Sequence, residues 1–168
     1  MRDDFKLADL LADGDLINFG DLDPQVNAIL QQGVAAYWDD RPKAEVLFRQ
    51  ALEVAPQELA IYFCLYKIHT YQGQLDEGLA AAKAGVSEAA RQANLAQDWW
   101  SWTPEERDWT ELGVIRFALY TLKAMAFIHL RREEPAESRR LLDHIKRLDP
   151  KDSVGRAVIE ALAARLGA

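Results

Sequence analysis

Three histidines, one cysteine and several paired acids are the side chains of this sequence that could do chemistry. A metal site needs several ligands brought together by a short, regular spacing. His69, His129 and His144 have no neighbouring His, Cys or carboxylate at such a spacing, and His69 and His129 read as packed or half-buried rings. Cys64 lies inside the apolar run IYFCLY. A nucleophilic thiol needs a cationic, partly exposed setting, so Cys64 reads as a small core residue. The pairs Asp39-Asp40, Glu105-Glu106 and Glu133-Glu134 fall in turns or first helical turns, where negative charge complements the helix dipole. A catalytic carboxylate would need a pocket to shift its pKa, and turns supply none. The stretch DGDLINFGDLD lacks the ligand order of a calcium loop and its closing bidentate Glu, and reads as a solvated acidic loop. With no acid, base and nucleophile set, the chain is expected to be non-catalytic, with no metal and no cofactor.

The elements that carry these residues are set out by proline. Asp23-Pro24 and Thr103-Pro104 place a capping side chain before a Pro suited to the first helical position. Thr103-Pro104-Glu105-Glu106 has the order of a full capping box. Arg41-Pro42 and Glu134-Pro135 open helices, and Pro56 and Pro150 follow helix ends. Between these marks apolar residues recur at helical spacing, as in Leu141, Leu142, Ile145 and Leu148. No bounded stretch alternates with period two. The spacing predicts an all-α chain with helices over about 4–12, 25–38, 42–54, 58–71, 75–95, 104–131, 135–148 and 152–166.

The helices fall in pairs, and the pairs share a pattern. Ala44-x3-Phe48…Ala51…Pro56 reappears in weakened form from Gly78, which lies 34 residues after Ala44, and again from Ser138 through Leu142 and Ile145 to Pro150. This pattern resembles the tetratricopeptide repeat, a 34-residue helix–turn–helix unit, over roughly residues 25–150. The resemblance implies a right-handed superhelix of three helix–turn–helix pairs. An acidic N-terminal segment with its own helix, residues 1–24, would precede it, and a capping helix within 151–168 would close it. The cap would show a buried stripe of Val154, Val158, Ile159, Leu162 and Leu166, with Arg156, Glu160 and Arg165 outside. Ser138 lies 60 residues after Gly78, so about 26 extra residues, near 93–118, enter between the second and third units. They are expected to elongate the middle helices, and the capping box to start one long helix from Pro104 to Arg131. His69 and His129 fall at one repeat position, where the family packs an aromatic ring.

Repeat proteins of this kind bind polypeptide segments in a groove lined by the first helix of each unit. The matching positions are Tyr37 in unit one, Phe63, Lys67, Thr70 and Tyr71 in unit two, and Tyr120, Lys123, Phe127 and Arg131 in unit three. That groove would be aromatic with a cationic edge, suited to a segment with apolar anchors and some acids. It lacks the Asn residues with which related domains grip chaperone tails. In gross plan the chain is similar to small bacterial repeat chaperones, notably the acidic class that serves type III secretion, and to helpers of enzyme or cofactor assembly.

Composition sets the outer limits. The formal charge is −7 over 168 residues, which argues against nucleic acid as a partner. A single cysteine permits no internal disulfide, no long apolar run is present, and the acidic start does not read as a secretory signal, so a cytoplasmic protein is expected. Residues 1–27 hold seven Asp against Arg2 and Lys6. Four of the five tryptophans, Trp99, Trp100, Trp102 and Trp109, crowd into eleven residues. They either pack the insertion onto the array or form an aromatic patch for a partner. The function expected is that of an adaptor or of an assembly or secretion chaperone holding another protein. The alternative is a homo-oligomerisation module, a homodimer for instance, whose groove or Trp-rich patch is filled by a second copy.

Overall fold

The computed structural model describes residues 23–37 and 39–167. The helix expected over 4–12, most of the acidic loop and Trp38 lie outside the described residues. Among those described there are seven α-helices and no strand: α1 (Pro24–Ala36), α2 (Arg41–Val54), α3 (Leu59–Tyr71), α4 (Leu75–Ala93), α5 (Val114–Arg131), α6 (Pro135–Leu148) and α7 (Arg156–Arg165). None of the helices described is long and apolar enough to cross a membrane.

The local signals act where the sequence places them. The Asp23 carboxylate accepts from the amides of Gln25 and Val26 at 2.9 and 3.3 Å, and Asp40 accepts from Lys43 at 3.0 Å, each ahead of a Pro at the helix start. Such caps satisfy amides that have no partner within the helix. Each helix packs on its neighbours in sequence, α3 also meets α5, and α5 also meets α7. Small residues allow the close approaches. Ala44 and Ala51 are wholly buried around Phe48 in α2. In α4, a Cβ at Gly78 would stand 2.9 Å from Thr70 Oγ1, and one at Gly85 would stand 3.0 Å from Tyr62 Cβ. α3 is buried along nearly its whole length, Leu59 to Thr70, with Lys67 half-buried.

The middle helices are longer than their neighbours, with 19 residues in α4 and 18 in α5 against 13 in α3 and 14 in α6. The single helix expected from Pro104 to Arg131 does not form. α4 ends at Ala93, where Asn94 takes a left-handed conformation (φ 55°) and the Leu95 amide returns to the Ala90 carbonyl at 2.9 Å. Thr103 N–H does donate to Glu106 at 3.1 Å, but the result is one 3₁₀ turn, Pro104–Glu106, after which Arg107 is extended. One tertiary contact and two local features of the following residues go with this ending. Trp102 and Trp109 stack at 5.5 Å and are buried. Asp108 holds a tight turn by accepting from the amide and hydroxyl of Thr110 at 3.0 and 2.6 Å. Gly113 adopts φ 77° and ψ −125°, open to glycine and strained for other residues.

The C-terminal helix also departs from expectation. Val158 and Leu166 are exposed, whereas Arg156, expected outside, is buried. Arg156 is held by Asp152 and Glu160 at 3.4 and 3.2 Å and donates to the Asp149 carbonyl at 3.2 Å. The apolar spacing of this segment fits a stripe, but Gly155 in a left-handed turn delays the helix start to Arg156. Ile159 and Val154 face inward, and Leu162 is half-buried.

Candidate functional site

Residues of α3 and α5 at helical spacing present one face each, and the contact between the two helices sets those faces side by side. They line a cavity of about 180 Å³. Its walls include Lys67, Thr70 and Tyr71 from α3, and Tyr120, Lys123 and Phe127 from α5, six of the nine positions named from the sequence. Among the described residues, Tyr66, Ala124 and Ile128 of the same two helices and Ile159 of α7 also line it. No carboxylate lines it among the described residues.

Tyr120 is the organising ring. Lys67 Nζ donates to its hydroxyl at 3.3 Å and lies 5.5 Å from its centroid, while Lys123 Nζ sits 4.1 Å above the same ring. Lys67 also lies within 5.4 and 5.9 Å of the Phe63 and Tyr71 centroids. Aromatic faces carry negative potential, so each ring helps to hold an ammonium group that burial would otherwise disfavour. Lys123 is tied down further by donating to the Val154 carbonyl at 2.8 Å, which links the cavity to the α6–α7 connection.

The other three named residues frame this centre. Phe63 lies 5.9 Å from Tyr120 and is buried, forming support rather than wall. Arg131 donates to the Thr70 carbonyl at 2.9 Å and rests 6.0 Å from the Phe127 centroid, so it fastens the end of α5 to the end of α3. Tyr37 is buried and does not line the cavity. Its ring lies 5.1 Å under Arg41, whose Nη1 reaches the Tyr71 carbonyl at 3.4 Å. Burial raises the Tyr37 pKa, partly opposed by the nearby Arg41 charge. Sequence reasoning missed Ile159. Spacing alone places Ile159 in the buried stripe of its helix, and its part in the cavity follows from the contact of α7 with α5, which spacing does not register.

The tryptophans divide. Trp102 and Trp109 are interior, each indole N–H satisfied by a carbonyl: Trp102 donates to Ala96 at 2.8 Å and Trp109 to Thr103 at 2.9 Å. These two are not part of a surface patch. Trp99 and Trp100 are half-buried, with Trp100 under Arg140 at 3.9 Å and beside the His144 ring at 5.3 Å. His144 Nε2 donates to the Trp99 carbonyl at 2.6 Å, which leaves Nδ1 to accept from Arg147 at 3.1 Å. Burial, with Arg147 and Arg140 nearby, holds the His144 pKa below its ordinary value despite the Trp99 carbonyl.

The remaining reactive side chains are occupied structurally. His69 bonds Gln74 at 2.7 Å and His129 bonds Glu134 at 2.6 Å. Burial pushes the Cys64 thiol up to about 12, so it stays protonated at neutral pH. Among the described residues, no three of His, Cys, Asp and Glu gather as metal ligands would. The cavity is smaller than the roughly 300–1,000 Å³ typical of small-molecule and cofactor pockets, and its volume suits one or two side chains.

Comparison with protein-family models, with curated proteins and with solved structures finds no match to this chain.

Proposed function

We propose that the chain is a tetratricopeptide-repeat-like adaptor or assembly chaperone that holds a polypeptide segment across α3 and α5 and catalyses no reaction. The observation that carries this reading is the meeting of Lys67 and Lys123 over Tyr120 in a cavity walled by Tyr71, Phe127 and Ile159. Aromatic walls take an apolar anchor, and the two ammonium groups favour acidic neighbours on the bound segment. Support for the repeat comes from the equivalent turns after α3 and α5, which use the same bonds sixty residues apart.

Selection from a random peptide library displayed on phage tests this reading and requires no partner to be named in advance. The full-length chain is expected to enrich peptides with an aromatic or aliphatic residue flanked by Asp or Glu. The Lys67→Glu/Lys123→Glu variant should lose that preference. Enrichment of no common pattern, or of the same pattern by both proteins, overturns the proposal.

A further inference from the structure

We propose that the outer face of α6, together with Trp100, is a second docking site whose occupant is an acidic run of a partner polypeptide. The site goes beyond the reading of α3 and α5 and does not rest on it. α6 turns Arg139, Arg140, Lys146 and Arg147 to the surface, against Glu137 and Asp143. This local excess of positive charge stands on a chain whose formal charge is −7. A ligand dense in carboxylates is its complement.

The arginines of this face are held in place and left open. Arg49, Arg91, Arg107, Arg132 and Arg156 each pair with a carboxylate. Among the described residues, Arg139, Arg140 and Arg147 pair with none. Arg140 lies 3.9 Å over the Trp100 ring, which is braced by the rings of His144 at 5.3 Å and Trp99 at 6.1 Å. A guanidinium stacked in this way covers only its flat face and keeps its in-plane N–H donors for an oxyanion. Arg147 lies two helical turns further along the same face. Its Nη2 is anchored by the Trp102 carbonyl and His144 Nδ1, both at 3.1 Å, which fixes the direction of the remaining donors.

The shape of the face suits a segment better than a single small anion. Two open hollows, of about 510 and 370 Å³, lie along α6 and share Arg140 and Asp143. The first starts at Pro135 and the second ends at Arg147, a helical span of about 18 Å. An extended chain covers that length with about five or six residues. Asp143 repels an acid placed opposite it, so the attraction falls at the two ends, on Arg139 with Arg140 and on Arg147.

Side-chain NMR of the full-length protein, titrated with a capped hexaglutamate peptide, tests the idea. The Nε–H signals of Arg140 and Arg147 and the indole N–H of Trp100 are expected to shift together to saturation, and to need more peptide as salt is raised. The Lys67→Glu/Lys123→Glu variant should keep these shifts. Arg139→Gln/Arg140→Gln, at two exposed positions, should bind the peptide about tenfold more weakly. No shift with millimolar peptide, shifts centred on Lys67 and Lys123, or equal shifts with capped hexaglutamine would each overturn the proposal. Inorganic phosphate saturating the same signals at the peptide's own concentration would also overturn it, since the face would then take any small anion. The peptide selection stands apart from these outcomes. Enrichment of apolar anchors without shifts on α6 ends the second site alone, and shifts on α6 without that enrichment end the α3–α5 reading alone.

Discussion

His129 repeats the work of His69: each ring nitrogen Nδ1 bonds the side-chain oxygen of the residue five positions on, Glu134 and Gln74, at 2.6 and 2.7 Å. The backbone follows suit, with the amides of Glu134 and Gln74 returning to the carbonyls of His129 and His69 at 2.9 and 2.8 Å. The residue before each takes positive φ, Gly73 at 76° and Glu133 at 62°. The histidines thus lock two equivalent turns.

Gln74→Ala removes the acceptor and leaves a buried imidazole nitrogen without it. The substitution should destabilise the protein by about 1–3 kcal/mol in urea unfolding. A value near zero would show that the side-chain bond adds nothing to the backbone turn.

His144 predicts a pH dependence. Its folded pKa lies below the ordinary value of 6.5, so the unfolded chain takes up the proton first. The stabilising contribution is complete above pH 6.5 and is lost as pH falls from there towards the folded pKa. In His144→Gln, whose amide can still donate to the Trp99 carbonyl, the fall in melting temperature over that window should be shallower than in the parent. Parallel falls in the two proteins would show that His144 is not the titrating group.

Gly113 separates the two accounts of the insertion by sign. Inside a continuous helix, Gly113→Ala would stabilise by about 1 kcal/mol. At φ 77° a Cβ meets nothing within 4 Å, yet the backbone itself is strained, so the change should destabilise by about 1–3 kcal/mol. Thermal unfolding reads the sign directly.

Trp102→Ala should cost about 3–5 kcal/mol, since it empties a fully buried site and removes the ring stacked on Trp109. Single-tryptophan proteins should place Trp102 and Trp109 beyond the reach of an aqueous quencher, with Trp100 responding. Quenching of Trp102 as strong as that of Trp100 would contradict the packing.

The helices and most of their ends were legible because periodic apolar residues and Asp-Pro starts act locally. The positions from Lys67 to Phe127 were named by carrying over the groove positions of the repeat that the sequence resembles, and six of the nine named positions line one cavity. The insertion was not legible. A capping box reports only the amides it satisfies, and the fate of residues 107–113 was decided by where two indoles could be buried together. The orientation of α7 was hidden for a similar reason. Arg156 counted as polar, but its burial depends on Asp152, Glu160 and the Asp149 carbonyl, partners that apolar periodicity does not register.

The Trp102–Trp109 stack gives the molecule an optical marker of its own. Two indoles held 5.5 Å apart at 26° couple their electronic transitions, and coupled transitions in a chiral frame split into paired circular-dichroism bands of opposite sign. The share of that splitting from this pair, beside the share from Trp99 and Trp100 at 6.1 Å and 50°, is lost if either ring leaves it, while the helical amide signal stays. Opening of the connection between α4 and α5 is therefore visible separately from melting of the helices, without any attached dye.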